Sequence, residues 1–217
     1  MWHEKIAIRS INYSTEEDKT MLMVQDDDIL KVGKDTPVKK LAGAIAHSLK
    51  ENEGQCIIQA IGPASINQAV KAFAISREIA AKIGWDLVLI PGFWDVEIDG
   101  EKRTAIRLYV EPYQRRISSG GGDPKEEDII RVAGNVESGH SKSVAGAIAK
   151  ALDNSDDNKI VMQAVGAAAV NNAIKAICIA RGYSASHGHD IICVPGFVDI
   201  EIGDKQRTAI RFFVEYR

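Results

Sequence analysis

The sequence predicts an α/β protein of the two-layer α+β kind, built as two tandem β-α-β-α-β-β units. Each unit is expected to be a four-stranded sheet with two helices on one face. Three observations carry this. A long internal repeat runs through the chain, β-prone runs alternate with helical ones in the same order in both copies, and each copy closes on a turn pair flanked by alternating strands.

The repeat is read directly. Gln59-Ala-Ile-Gly-Pro-Ala-Ser-Ile-Asn-Gln-Ala-Val-Lys-Ala returns at Gln163, Asp86-Leu-Val-Leu-Ile-Pro-Gly-Phe-Trp-Asp at Asp190, and Arg103-Thr-Ala-Ile-Arg at Arg207, each 104 residues later. Leu41-Ala-Gly-Ala-Ile-Ala returns at Val144, 103 residues later. A period this long marks two domains rather than a solenoid. The expected boundaries are an N-terminal extension 1–28, a first lobe 29–115, a polar Gly-Ser linker 116–127 and a second lobe 128–217.

In each lobe Ile29-Leu-Lys-Val or Ile129-Ile-Arg-Val forms a first short strand. From Pro37, apolar Val38, Leu41, Ala42, Ile45 and Leu49 recur at helical spacing between charged residues, giving an amphipathic helix. Cys56-Ile-Ile-Gln-Ala-Ile-Gly is a buried-type strand that ends at its glycine, Gly62. Pro63 then opens an alanine-rich helix to about Lys82. Asp86 to Ile98 and Thr104 to Glu111 are two strands about the turn pair Asp99-Gly100. Right-handed crossovers place both helices on one side of the sheet. By alternation, Thr104, Ile106, Leu108 and Val110, with Trp94, Val96 and Ile98, are expected beneath the helices. The open face would then carry Phe93, Asp95, Glu97, Arg107 and Tyr109, and in the second lobe Phe197, Asp199, Glu201, Arg211 and Phe213.

The chain has 217 residues, 45% hydrophobic and 26% charged, with net charge −3. That excludes long disorder and a strongly basic nucleic-acid coat. By segment the charge is −4 for 1–28, +2 for the first lobe, −1 for the linker and 0 for the second lobe. No apolar stretch is long enough for a membrane span, and the first residues lack a secretory pattern, so the expected location is cytoplasmic. Cys56, Cys178 and Cys193 sit in apolar runs and read as reduced core residues.

The motifs resemble the bacterial stage V sporulation protein S family. They are the Ala-Gly-Ala-Ile-Ala helix, Gln-Ala-Ile-Gly followed by Ala-x-hydrophobic-Asn and Lys-Ala, and the Pro-x-Phe-x-Asp hairpin closing on Arg-Thr-Ala-Ile. The resemblance implies an Alba-like fold, whose members bind RNA or DNA as dimers. It also implies a nucleic-acid contact for Lys34 in Val32-Gly-Lys-Asp-Thr-Pro-Val. The second lobe lacks that loop, with Glu137 within its equivalent and Lys142 only a near neighbour.

Phosphate binding needs converging cations and free backbone N–H groups. Lys34, Lys39 and Lys40 at the first strand-to-helix loop and Lys102 and Arg103 at the hairpin tip supply the cations, with Lys142, Lys205 and Arg207 in the second lobe. The same residues also serve as solvated or edge-protecting charges. Gly62 and Gly166 open helices whose N–H groups could cradle phosphate. Asn67 with Lys71, and Asn171 with Lys175, share helix faces. No catalytic constellation recurs between copies. His187-Gly-His189 with Asp190 has no counterpart, so neither enzyme nor metal nor cofactor is expected. Asp95 and Glu97 are expected to pair across strands with Arg107, and Asp199 and Glu201 with Arg211.

The expected function is a non-enzymatic nucleic-acid-binding regulatory protein whose two lobes form an internal pseudo-dimer. The alternative is a protein-interaction or assembly module that binds no nucleic acid. A small-ligand sensor using the cleft between the lobes has no motif behind it.

Overall fold

The computed structural model describes residues 28–113, 124–134 and 139–217. The N-terminal extension before Asp28, most of the linker, and Glu137 lie outside the described residues. The first lobe runs β1 (Ile29–Val32), α1 (Val38–Glu51), β2 (Cys56–Ala60), α2 (Pro63–Ala81), β3 (Leu87–Ile98) and β4 (Glu101–Pro112). A 3₁₀ turn at Glu126–Asp128 precedes the second, with β5 (Ile129–Val132), α3 (His140–Asp153), β6 (Lys159–Ala164), α4 (Ala167–Ala185), β7 (Ile191–Ile202) and β8 (Lys205–Tyr216).

Local chemistry sets these elements. The α1 stripe Leu41, Ala42, Ile45 and Leu49 is buried, as its spacing requires. Pro63 occupies the first turn of α2, where a missing N–H costs nothing, and Gly62 before it takes φ 83°, a conformation that favours glycine. Gly166 repeats this before α4 with φ 84°.

The eight strands form one sheet in the order β1-β2-β4-β3-β7-β8-β6-β5. β1–β2 and β5–β6 are parallel, and the remaining pairs are antiparallel. Two four-stranded sheets thus meet edge to edge, joined where Leu89 pairs with Cys193, equivalent positions of the two copies. Pairing β3 with β7 removes an exposed edge from each lobe. Across the junction Arg181 Nη1 donates to the Pro91 carbonyl at 2.8 Å, and α2 packs on α4. One hydrophobic core therefore runs beneath all four helices, including Phe73, Leu89 and Leu108 of one lobe and Phe212, Met162 and Ile148 of the other. A smaller cluster, Val88, Ile90, Ile192 and Val194, lies on the opposite side of the two central strands with Tyr109, Tyr113 and Phe213.

The hairpin register corrects the expected faces. Ile98 stands opposite Glu101, Trp94 opposite Ala105 and Phe93 opposite Ile106. Odd-numbered residues of β3 therefore share a side with even-numbered residues of β4, because the turn between them holds two residues. Directly paired side chains point to the same side, and a one-residue slip reverses the whole strand. Trp94, Val96 and Ile98 thus lie on the open side with Arg107, while Phe93, Asp95 and Glu97 lie on the helix side. In the second lobe Phe197 pairs with Ile210 and Val198 with Ala209, so Phe197, Asp199 and Glu201 move likewise.

All three cysteines are buried and unbridged. Burial raises the thiol of Cys56 to about 11 and that of Cys178 to about 12, and pushes Cys193 up as well. The folded chain is expected to resist Ellman's reagent at pH 8 and to react fully once denatured. A raised thiol pKa means the unfolded chain loses its protons first, so stability should fall as pH rises above the ordinary value of 9.0. A denaturant midpoint that stays flat from pH 8 to 10 would contradict this.

Candidate nucleic-acid interface

The parallel strands β1 and β2 both run toward the N-termini of α1 and α2. The β2–β4 pairing ends at Ala60–Ile106, whereas β3–β4 pairing continues to Ile98–Glu101. The hairpin therefore leaves the sheet as a two-stranded arm roughly 20 Å long, at the same end as the helix N-termini. This end gathers Lys34, Lys39, Lys40 and Lys102, all exposed, and Arg103.

The Lys34 loop is held from inside. The Gly33 N–H donates to Thr36 Oγ1 at 2.9 Å, and the Thr36 N–H returns to the Gly33 carbonyl at 3.2 Å. Gln68 Nε2, on α2, donates to the Thr36 carbonyl at 3.2 Å and ties the loop beside the α2 N-terminus. Asn67 and Lys71 on α2 are half-buried. Arg103 pairs with Glu101 at 2.9 Å.

In the second lobe Lys142 is exposed in the first turn of α3, and Lys205 and Arg207 are exposed at the start of β8. Lys175 is half-buried. Asn171 departs from expectation. It is only 6% exposed, with its Oδ1 buried and unpartnered, which leaves too little surface for a contact. The next residue, Asn172, donates to the Ala133 carbonyl at 3.0 Å in the role of Gln68. Its side chain is shorter, and the loop sits close enough that a Cβ on Gly134 would meet Ala168 at 3.2 Å.

On the open face, Lys31, Gln59, Arg107 and Gly92 form one row across four strands, answered by Arg131, Gln163, Arg211 and Gly196. Arg107 Nε donates to Gln59 Oε1 at 3.0 Å, and Arg211 Nε to Gln163 Oε1 at 3.1 Å. These bonds replace the expected pairing of the arginines with strand carboxylates. Asp95 instead accepts from Thr104 Oγ1 at 3.1 Å and Asp199 from Thr208 Oγ1 at 3.0 Å. In the second lobe Glu126 pairs with both Arg131, at 2.7 Å, and Arg211, at 3.4 Å. In the first, the Arg107 guanidinium lies 3.8 Å from the centre of the Trp94 ring. Trp94 is one of the residues that the alternation argument misplaced, and counting the two-residue turn would have found it.

The His-x-His segment and its neighbouring aspartate have structural partners. His189 stacks on Tyr216 at 4.7 Å, and Asp190 accepts from Arg181 at 2.8 Å and Arg217 at 3.2 Å. Among the described residues, no group of His, Cys, Asp and Glu is placed to hold a metal ion. An open cleft of about 490 Å³ lies between the lobes, lined by Arg77, Glu78, Trp85, Asp86, Gly196 and Phe197 among others. Arg77 directs Nε and Nη2 to Asp86 Oδ1 there.

The family model of Stage V sporulation protein S (SpoVS) matches residues 28–113 and, a second time, residues 128–217. The chain belongs to that family. Each match spans one β-α-β-α-β-β unit, so the protein is a tandem duplication of the SpoVS unit. Membership supports a sporulation-related regulatory protein, and SpoVS is not a known enzyme family. No helix among the described residues is long and apolar enough to cross a membrane.

The arm tips carry little of the fold. Asp99 (φ 53°) and Gly100 (φ 77°) form the tight turn of the first, and Gly203 (φ 59°) opens that of the second. Replacing Lys102 and Arg103, or Lys205 and Arg207, by Ala is expected to change unfolding free energy by no more than about 0.5 kcal/mol. Denaturant titration checks this. A loss several times larger would make these cations structural.

Proposed function

We propose that this SpoVS-family chain is a non-enzymatic, sporulation-related regulatory protein that binds RNA or DNA. The observation that carries the reading is the gathering of Lys34, Lys39, Lys40, Lys102 and Arg103 at one end of the first lobe, beside the free N–H groups of α2. Several cations and a positive helix end on one stiff scaffold suit a phosphate backbone, and the neutral second lobe contributes less. Anisotropy of labelled RNA and DNA at low salt tests the reading. Saturable binding is expected, with Kd of about 10⁻⁴ to 10⁻⁶ M at physiological salt and tighter at low salt. No binding in that range would leave the protein-interaction reading, which the exposed Phe93, Phe197 and Ile202 on the arms favour.

The lobes act in this proposal as an internal pseudo-dimer. A linker of about a dozen residues holds the second lobe at an effective concentration in the millimolar range. Lobes produced as separate chains are expected to co-sediment as a 1:1 pair, and lobes that stay apart at micromolar concentration would contradict the pairing.

A further inference from the structure

We infer that Trp94 is a base-stacking platform and that the nucleic acid taken by the first arm is single-stranded. This rests on the nucleic-acid reading above and narrows it. Trp94 is 44% exposed on the open side of the arm, an unusual place for the largest apolar side chain. It is not loose. Arg107 lies 3.8 Å from the ring centre and is itself fixed by Gln59 at 3.0 Å, so the indole is held before any ligand arrives. Arg103 shares this side of β4, two residues beyond Ala105, the partner of Trp94, a step of about 7 Å. One pinned ring flanked by cations fits an unpaired base with its neighbouring phosphates.

The strand state follows from the geometry of bases. In a duplex the faces of the bases are already covered by their neighbours, and exposing one requires unstacking. A single strand offers its faces freely, and every base has one, so recognition by stacking is tolerant of sequence. The second arm carries Val198 at the equivalent position, which has no π face, so of the two arms the first alone offers this platform.

The test uses the full chain with labelled oligo(U) and oligo(dT) of about 12 nucleotides and a duplex of about 16 base pairs. Trp94→Ala and Trp94→Leu are expected to weaken single-strand binding about 5- to 150-fold and leave duplex binding within twofold. Trp94→Phe retains most of the affinity, because it keeps a ring. Trp94→Leu keeps apolar bulk, and equal thermal midpoints for the three variants exclude a folding defect. Single-strand binding unchanged in Trp94→Leu, in a protein whose affinity Lys34→Glu does weaken, overturns the platform alone. Wild-type chain that binds no probe at low salt overturns the platform and the nucleic-acid reading together.

Discussion

Replacing Lys34, Lys39 and Lys40 together by Glu is expected to lower RNA or DNA affinity by about two orders of magnitude at 0.1 M salt. Each phosphate contact contributes about 0.7 to 0.9 decades of affinity per decade of salt, measured against binding near 1 M, so three lost contacts give that figure. The reversed charges add repulsion. The fold should survive, since all three side chains are exposed and none belongs to the core. The matching substitution in the second lobe, Lys142, Lys205 and Arg207 to Glu, is expected to cost less, because that lobe is neutral overall and its loop lacks a Gly-Lys pair. Anisotropy titrations of the two variants side by side decide it. Equal losses would make the lobes equivalent contact surfaces, and two variants that bind like the wild type would remove the cations from the function.

The second large effect is on stability. Phe212 is fully buried in the core that both lobes share. Phe212→Ala is expected to cost about 3 to 5 kcal/mol, the transfer free energy of the ring plus the cavity left behind. For a chain of this size that lowers the thermal midpoint by roughly 6 to 20 °C. The form of the transition is as informative as its position. Because the sheet is continuous through Leu89–Cys193 and α2 packs on α4, both lobes should lose structure in one transition. Calorimetry showing two separate transitions, with the first lobe melting as in the wild type, would mean that the junction does not couple them.

Much of this architecture is written in the chain. The 104-residue repeat, the α1 stripe from Leu41 to Leu49 and the Gly62-Pro63 helix start are local patterns whose outcome depends on few neighbours. The fusion of the sheets is partly legible. Leu87-Val-Leu-Ile is apolar without alternation, the mark of a strand covered on both sides, and β3 is central in the sheet. Its partner was not legible, because nothing in one strand names the strand beside it. The arm faces were misassigned for a smaller reason. Period-2 alternation defines two sides, but only the number of turn residues says which side of β4 matches which side of β3. Asn171 was misread because helix spacing ranks faces and not depth. Its copy-one counterpart Asn67 stays half exposed beside the longer Gln68, whereas the shorter Asn172 reaches the Ala133 carbonyl, next to Gly134, which lies close to Ala168 of α4.

The central claim, phosphate binding by the cations at the first-lobe end, is tested most directly by the salt dependence of binding. Affinity of the full chain for labelled RNA and DNA is measured from about 50 to 200 mM salt, a range over which phosphate contacts are strongly resolved. With three to five cations engaged, log affinity should fall against log salt with a slope of about −2 to −4.5, and the Lys34, Lys39 and Lys40 to Glu variant should be shallower by about 2 to 3. A flat dependence, or a variant whose slope equals that of the wild type, would contradict it.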